Sequence, residues 1–140
     1  MSISDRMLRM HNCVGINVNT KDGFNGEIFN CFKEDSDSFT DAHDFLNIVN
    51  AFLDTLDFPA QKIRYRAFKK TLHTLKLIDI DPESKLFGTD KLLELIDDNG
   101  YVLLIIGRDN ATWQGMVYSK AEDKEYRFNS EVELLRIINK

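Results

Sequence analysis

Proline and glycine are scarce in this chain, at two and seven of 140 residues. That scarcity excludes a linker-rich or low-complexity protein, because such chains depend on both residue types. Cysteine is scarce too. Cys13 and Cys31 cannot by themselves make a disulfide scaffold, which points to a reducing compartment. Long apolar runs are missing: the longest, Tyr101 to Ile106, is far short of the roughly 20 residues a membrane helix needs. The stretch from Met1 to Arg9 mixes charge into its few apolar residues and does not read as a signal peptide. A soluble, cytoplasmic domain without a membrane partner is the expectation. Positive charge is in deficit, with a net charge of −5, which weighs against nucleic-acid phosphates as the main partner.

Catalytic and metal-binding patterns are equally hard to find. The chain has no G-x-S-x-G, no phosphate-binding glycine loop and no H-E-x-x-H. His11, His43 and His73 share no ligand-like spacing with each other or with the cysteines. The run Asp79-x-Asp81-x-Glu83…Asp90 has the outline of a calcium loop. However, Ser84 stands where the loop needs glycine and Pro82 interrupts it, so it reads as a solvated acidic loop. Carboxylates are abundant, yet nothing sets two of them in one apolar pocket for acid–base work. The expectation is therefore no enzyme, no catalytic residues, no metal and no cofactor.

What is present is an ordinary globular composition, 43% apolar and 29% charged, enough for one domain spanning residues 1–140. Set against itself, the chain suggests an internal repeat. Phe24 to Asn50 aligns without a gap on Trp113 to Asn139. Phe24-Asn25-Gly26 answers Trp113-Gln114-Gly115, Phe39 answers Phe128, and Phe45-Leu46 answers Leu134-Leu135. More weakly, Val14 and Ile16 fall opposite Leu103 and Ile105. Unit one covers about 12–57, a connecting region 58–100, and unit two 101–140.

Each unit reads as three strands and a helix. In unit one a strand over 12–20 carries Val14, Ile16 and Val18 on one face, and a second strand over 24–33 carries Gly26 in its middle. A mid-strand glycine marks a bulge or a bulky neighbour lying across the backbone. The counterparts are 101–109, apolar enough to be buried on both faces, and 113–120 with Gly115. Short third strands end at Phe39 and Phe128. Asp41-x-x-Asp44 and Ser130-x-x-Glu133 then have the form of a capping box. Ala42, Phe45, Leu46, Val49, Phe52, Leu53 and Leu56 make an apolar stripe that Asp57-Phe58-Pro59 should end. Between the units, Ile63 to Phe68 alternates like a strand, Leu72 to Ile80 does not decide between strand and helix, and Thr89 to Asp98 reads as a helix. The fold class is α+β: a mostly antiparallel sheet with helices on one face, built from two βββα-like repeats.

The segment Arg108-Asp109-Asn110-Ala111-Thr112-Trp113-Gln114-Gly115, with Phe128-Asn129-Ser130 and Glu133-Leu134-Leu135, resembles a family of small uncharacterised bacterial proteins. That family carries an R-x-N-A-S/T-W-Q-G signature followed by an F-R-S-x-x-E-L-L/I helix start. The first half, from Gly26 to Phe58-Pro59 and Arg66-Ala67-Phe68, resembles companion sequences with a D-x-x-F-P-Q…R-S-F stretch. Asn129 replaces the usual arginine, and Ala60 separates Pro59 from Gln61. The resemblance covers about 30 C-terminal residues; it implies a relationship and no chemistry.

Two groups stand out as candidate sites. Trp113, the only tryptophan, is either a core anchor doing the work of Phe24 or an aromatic platform for a ligand or partner, with Arg108, Asn110 and Gln114 around it. The second is the stretch Lys62 to Lys76, with six basic residues and no acid. It is either a solvated face lying against acidic neighbours or an anion or nucleic-acid site formed by Arg64, Tyr65, Arg66, Lys69 and Lys70. The leading functional expectation is a non-enzymatic protein-interaction or regulatory domain whose protein partner is unknown. A homodimer is expected on base rate, formed through a sheet edge or the short C-terminal helix. The alternatives are a nucleic-acid or anion-binding module and a small enzyme of unfamiliar motif.

Overall fold

A computed structural model describes residues 3–21, 23–56, 83–109 and 112–139. The expected strand over 63–68, the undecided segment 72–80, the basic stretch, and Asp79, Asp81 and Pro82 of the acidic loop all lie outside the described residues. A short helix α1 (Asp5–Arg9) precedes the strands β1 (Val14–Asn19), β2 (Asn25–Asn30) and β3 (Asp37–Phe39) and the helix α2 (Ala42–Leu56). Helix α3 (Thr89–Leu95) is followed by β4 (Tyr101–Gly107), β5 (Gln114–Ser119), β6 (Lys124–Phe128) and α4 (Glu131–Ile138). The described residues thus form an α+β fold with a six-stranded antiparallel sheet in the order β3-β2-β1-β4-β5-β6.

Chain order explains that arrangement. The tight connections β1–β2–β3 and β4–β5–β6 each fold back on themselves as an antiparallel meander. The meanders then meet along their first strands, Val14 opposite Leu103, Gly15 opposite Val102 and Ile16 opposite Tyr101. Both mid-strand glycines face a phenylalanine: Gly26 opposes Phe39 and Gly115 opposes Phe128. A Cβ on Gly115 would lie 2.1 Å from the Leu104 carbonyl oxygen and 3.0 Å from Cζ of Phe128, so the ring does cross the backbone where a side chain would stand.

Helices cover both faces of the sheet rather than one, which corrects the sequence expectation. Val18, Gly26 and Phe39 are cross-strand partners and share a face, and there Phe39 meets Phe45 of α2 with ring centroids 5.2 Å apart. Gly15 points the other way, and a Cβ on it would sit 2.8 Å from Cγ2 of Ile96, at the end of α3. The physical reason lies in β4. Val102, Leu103, Leu104 and Ile105 are all buried, and a strand buried on both sides needs a layer over each. Helix α1 docks through Met7 and ties its N-cap Ser4 across to Glu125 of β6 at 3.0 Å.

Both expected capping boxes form. Asp41 accepts from the Asp44 N–H at 2.7 Å, while the Asp44 carboxylate accepts from the Thr40 N–H at 3.0 Å. Ser130 accepts from the Glu133 N–H at 3.2 Å, and Glu133 accepts from the Asn129 N–H at 3.0 Å. In each case the reciprocal bond reaches one residue further back than the usual box. Among the described residues, no helix is long and apolar enough to cross a membrane.

Candidate functional site

The hairpin joining β4 to β5 carries most of the signature residues, and its geometry begins with a register shift between Ile105 and Gly107. Arg108 follows at once and turns inward, 1% exposed, where its Nη1 donates to Oδ1 of Asp54 at 2.8 Å. Asp54 sits in the last turn of α2 and keeps 32% of its side chain in solvent. Gln114 closes the hairpin on itself. Its Oε1 accepts from the Asp109 N–H at 3.0 Å, and its Nε2 donates to the Thr112 carbonyl at 3.1 Å. Glu131, in the first turn of α4, accepts from the Trp113 N–H at 2.9 Å and from the Thr112 hydroxyl at 2.5 Å. A carboxylate there also complements the positive end of the helix.

Trp113 is 2% exposed and belongs to the core. Its indole Nε1 donates to Oδ1 of Asn50 at 2.9 Å, and its ring stands edge-on to Phe45 at 6.5 Å. Phe45 in turn packs against Phe39 and Phe24. Of the two sequence readings of Trp113, the anchor holds and the exposed platform does not. The structure brings Arg108, Trp113 and Gln114 together, but as a brace that binds one hairpin to α2 and α4. Asn110 lies outside the described residues, as do Arg64, Tyr65, Arg66, Lys69 and Lys70.

Sequence reasoning missed the far side of this brace: Asn50, Asp54 and Glu131. A signal existed. Asn50 and Asp54 are four apart on an amphipathic helix, so they share one side of it, and polar residues that border its apolar stripe call for polar partners.

Cys13, Cys31 and Tyr118 are held in their neutral forms. Burial pushes the Cys13 thiol up to about 12 and the Cys31 thiol up to about 11. A thiol so placed is a poor nucleophile. Tyr118 is pushed up to about 12, first by burial and then by its hydrogen bond to Asp123. Among the described residues, no group of three or more His, Cys, Asp or Glu could hold a metal ion. Two surface features remain: the outer side of β6, and an open groove of about 320 Å³ along α4 lined by Val132, Leu135, Arg136 and Asn139. The chain matches no family model, no curated protein and no solved structure.

Proposed function

We propose that this chain is a non-enzymatic, cytoplasmic protein-interaction or regulatory domain assembled from two βββα units. The observation that carries the reading is the inward direction of Arg108, Trp113 and Gln114, whose side-chain hydrogen bonds run to α2 and to the hairpin itself. Recognition then falls to the outer surface and the sheet edges. The two-unit reading is supported by ladders and caps that recur at one spacing. Gly26 opposite Phe39 repeats as Gly115 opposite Phe128, and the Thr40–Asp44 cap repeats as Asn129–Glu133. The first strands depart from that spacing, with Val14 answering Tyr101; the bulge between Ile105 and Gly107 accompanies the change. The Arg108–Gly115 signature and its resemblance to a small bacterial family fit a domain whose marked residues serve the scaffold.

Native mass spectrometry of the chain purified gently from its own host tests this reading. The expected species are the bare chain, multiples of it, or complexes with another protein. A tightly held small molecule or a retained nucleic acid would overturn it. In the second case the basic stretch Arg64 to Lys70 becomes the site, and binding should fall steeply with salt.

A further inference from the structure

We propose that β6 is a self-association edge, on which a second copy of this chain adds its own β6 antiparallel about Tyr126. The proposal rests on the interaction-domain reading and names its partner. Among the described residues β6 ends the sheet beyond β5, and Lys124 and Arg127 are exposed along it. An end strand presents a row of backbone donors and acceptors that another strand can pair with.

The choice of a second copy comes from the charge pattern. Antiparallel pairing centred on Tyr126 sets Glu125 opposite Arg127 of the other chain, twice over, and Lys124 opposite Phe128. Glu125 and Arg127 lie on one face, opposite Tyr118 and Met116 of β5, so they meet on one face across the joint. Tyr126 lies on the other face. Its hydroxyl donates to Glu122 at 2.6 Å, and the Lys124 ammonium sits 5.1 Å from its ring centroid. The opposite edge offers nothing comparable. Strand β3 is three residues long, and pairing it with itself would set Asp37 against Phe39, although Asp37 is already engaged by Lys33 at 2.6 Å.

Five residues of strand bury less than the roughly 1,200 Å² of a stable interface, so a second contact is required. Helix α4 supplies it. It starts three residues after β6 and packs on that strand. On it Val132, 59% exposed, begins a stripe through Leu135, Arg136 and Asn139 that lines the open groove. A two-fold axis perpendicular to the sheet keeps both α4 helices on the same side of the joined sheet. There each groove can take the neighbouring helix.

Light scattering over a concentration series, with four variants, tests the assignment. The unaltered chain should dimerise. Arg127→Glu turns both cross-strand charge pairs repulsive and should weaken the dimer about tenfold or more. Combining Glu125→Arg with Arg127→Glu restores the complementarity in reverse and should restore the dimer. Because Glu125→Arg also removes the bond from Ser4, Ser4→Ala is the control and should leave the dimer unchanged. Tyr126→Cys should give a disulfide-linked dimer on mild oxidation, without competition from the buried Cys13 and Cys31. Circular dichroism confirms that each variant is folded. A monomer at every concentration with no cross-linked Tyr126→Cys product overturns the proposal, as does a dimer indifferent to Arg127→Glu. Neither result touches the interaction-domain reading, which the native mass spectrum decides separately.

Discussion

The contact between Arg108 and Asp54 makes a prediction whose sign is as informative as its size. The guanidinium is 1% exposed while the carboxylate is 32% exposed, so the two partners do not depend on each other equally. In Asp54→Ala the buried cation loses a counter-charge, and such losses cost about 3–5 kcal/mol when the pair is fully buried. Partial access of water at the Asp54 end lowers this to about 2–3 kcal/mol. Arg108→Met removes the buried charge and keeps most of the volume, leaving behind a carboxylate that solvent already reaches. That change should cost about 1 kcal/mol. Trp113 reports on the same interface through Asn50, and as the only tryptophan it gives an unambiguous fluorescence signal in urea titrations. Asp54→Ala should also lower Tm by roughly 3 °C for each kcal/mol. If Arg108→Met proves the more damaging of the two, the pair is not holding a desolvated cation and the reasoning fails.

Three further outcomes are expected. Gly115→Ala and Gly26→Ala should each destabilise by about 2–3 kcal/mol, because the new methyl group meets a backbone oxygen at 2.1 or 1.9 Å that cannot move aside without opening the ladder; thermal melts that shift by less than a degree would contradict this. Ser130→Ala should cost about 1 kcal/mol and speed amide exchange in the eight-residue helix α4, which is too short to persist undocked. Stability should also fall in alkali. The thiol of Cys13 ordinarily ionises near 9.0 and in the fold only near 12, so its contribution is intact below pH 9. It is lost at about 1.4 kcal/mol per pH unit as the pH rises toward 12, since only the unfolded chain releases the proton. Cys13→Ala should make that slope shallower in urea titrations at about pH 8 to 10.5, with the share of Cys31, whose thiol is raised to about 11, remaining; an unchanged slope would assign the loss to Cys31 and Tyr118.

The parts of this fold that are legible in the sequence are those whose cause is local. A capping box lies within four residues, and a glycine beneath a ring leaves its mark on one strand. Gly26, Gly115, Asp41 and Ser130 accordingly declare their roles in the sequence alone. The brace does not, because Trp113 meets Asn50 across 63 residues and Arg108 meets Asp54 across 54. No local pattern in the hairpin says which helix will come to it. The placing of helices on one face failed for a similar reason. Which side a helix takes depends on where the chain crosses the sheet, and the continuous apolar run of β4, a sign that both sides needed cover, was the better guide. Helix α1 leaves no such mark, because five residues show too little periodicity; the cap at Ser4 and the burial of Met7 account for it.

The two meanders share only three residue pairs, from Val14 opposite Leu103 to Ile16 opposite Tyr101, and these join strands that are distant in the chain. Among the described residues, every other ladder links consecutive strands. Hairpins of that kind close in microseconds, whereas a contact across most of the chain must wait for a long loop to close. Assembly thus has two clocks: a fast one inside each meander and a slow one at the seam. The clasp of α2 on the hairpin of the second meander, through Asn50 and Asp54, spans 63 and 54 residues, so it runs on the slow clock together with the seam.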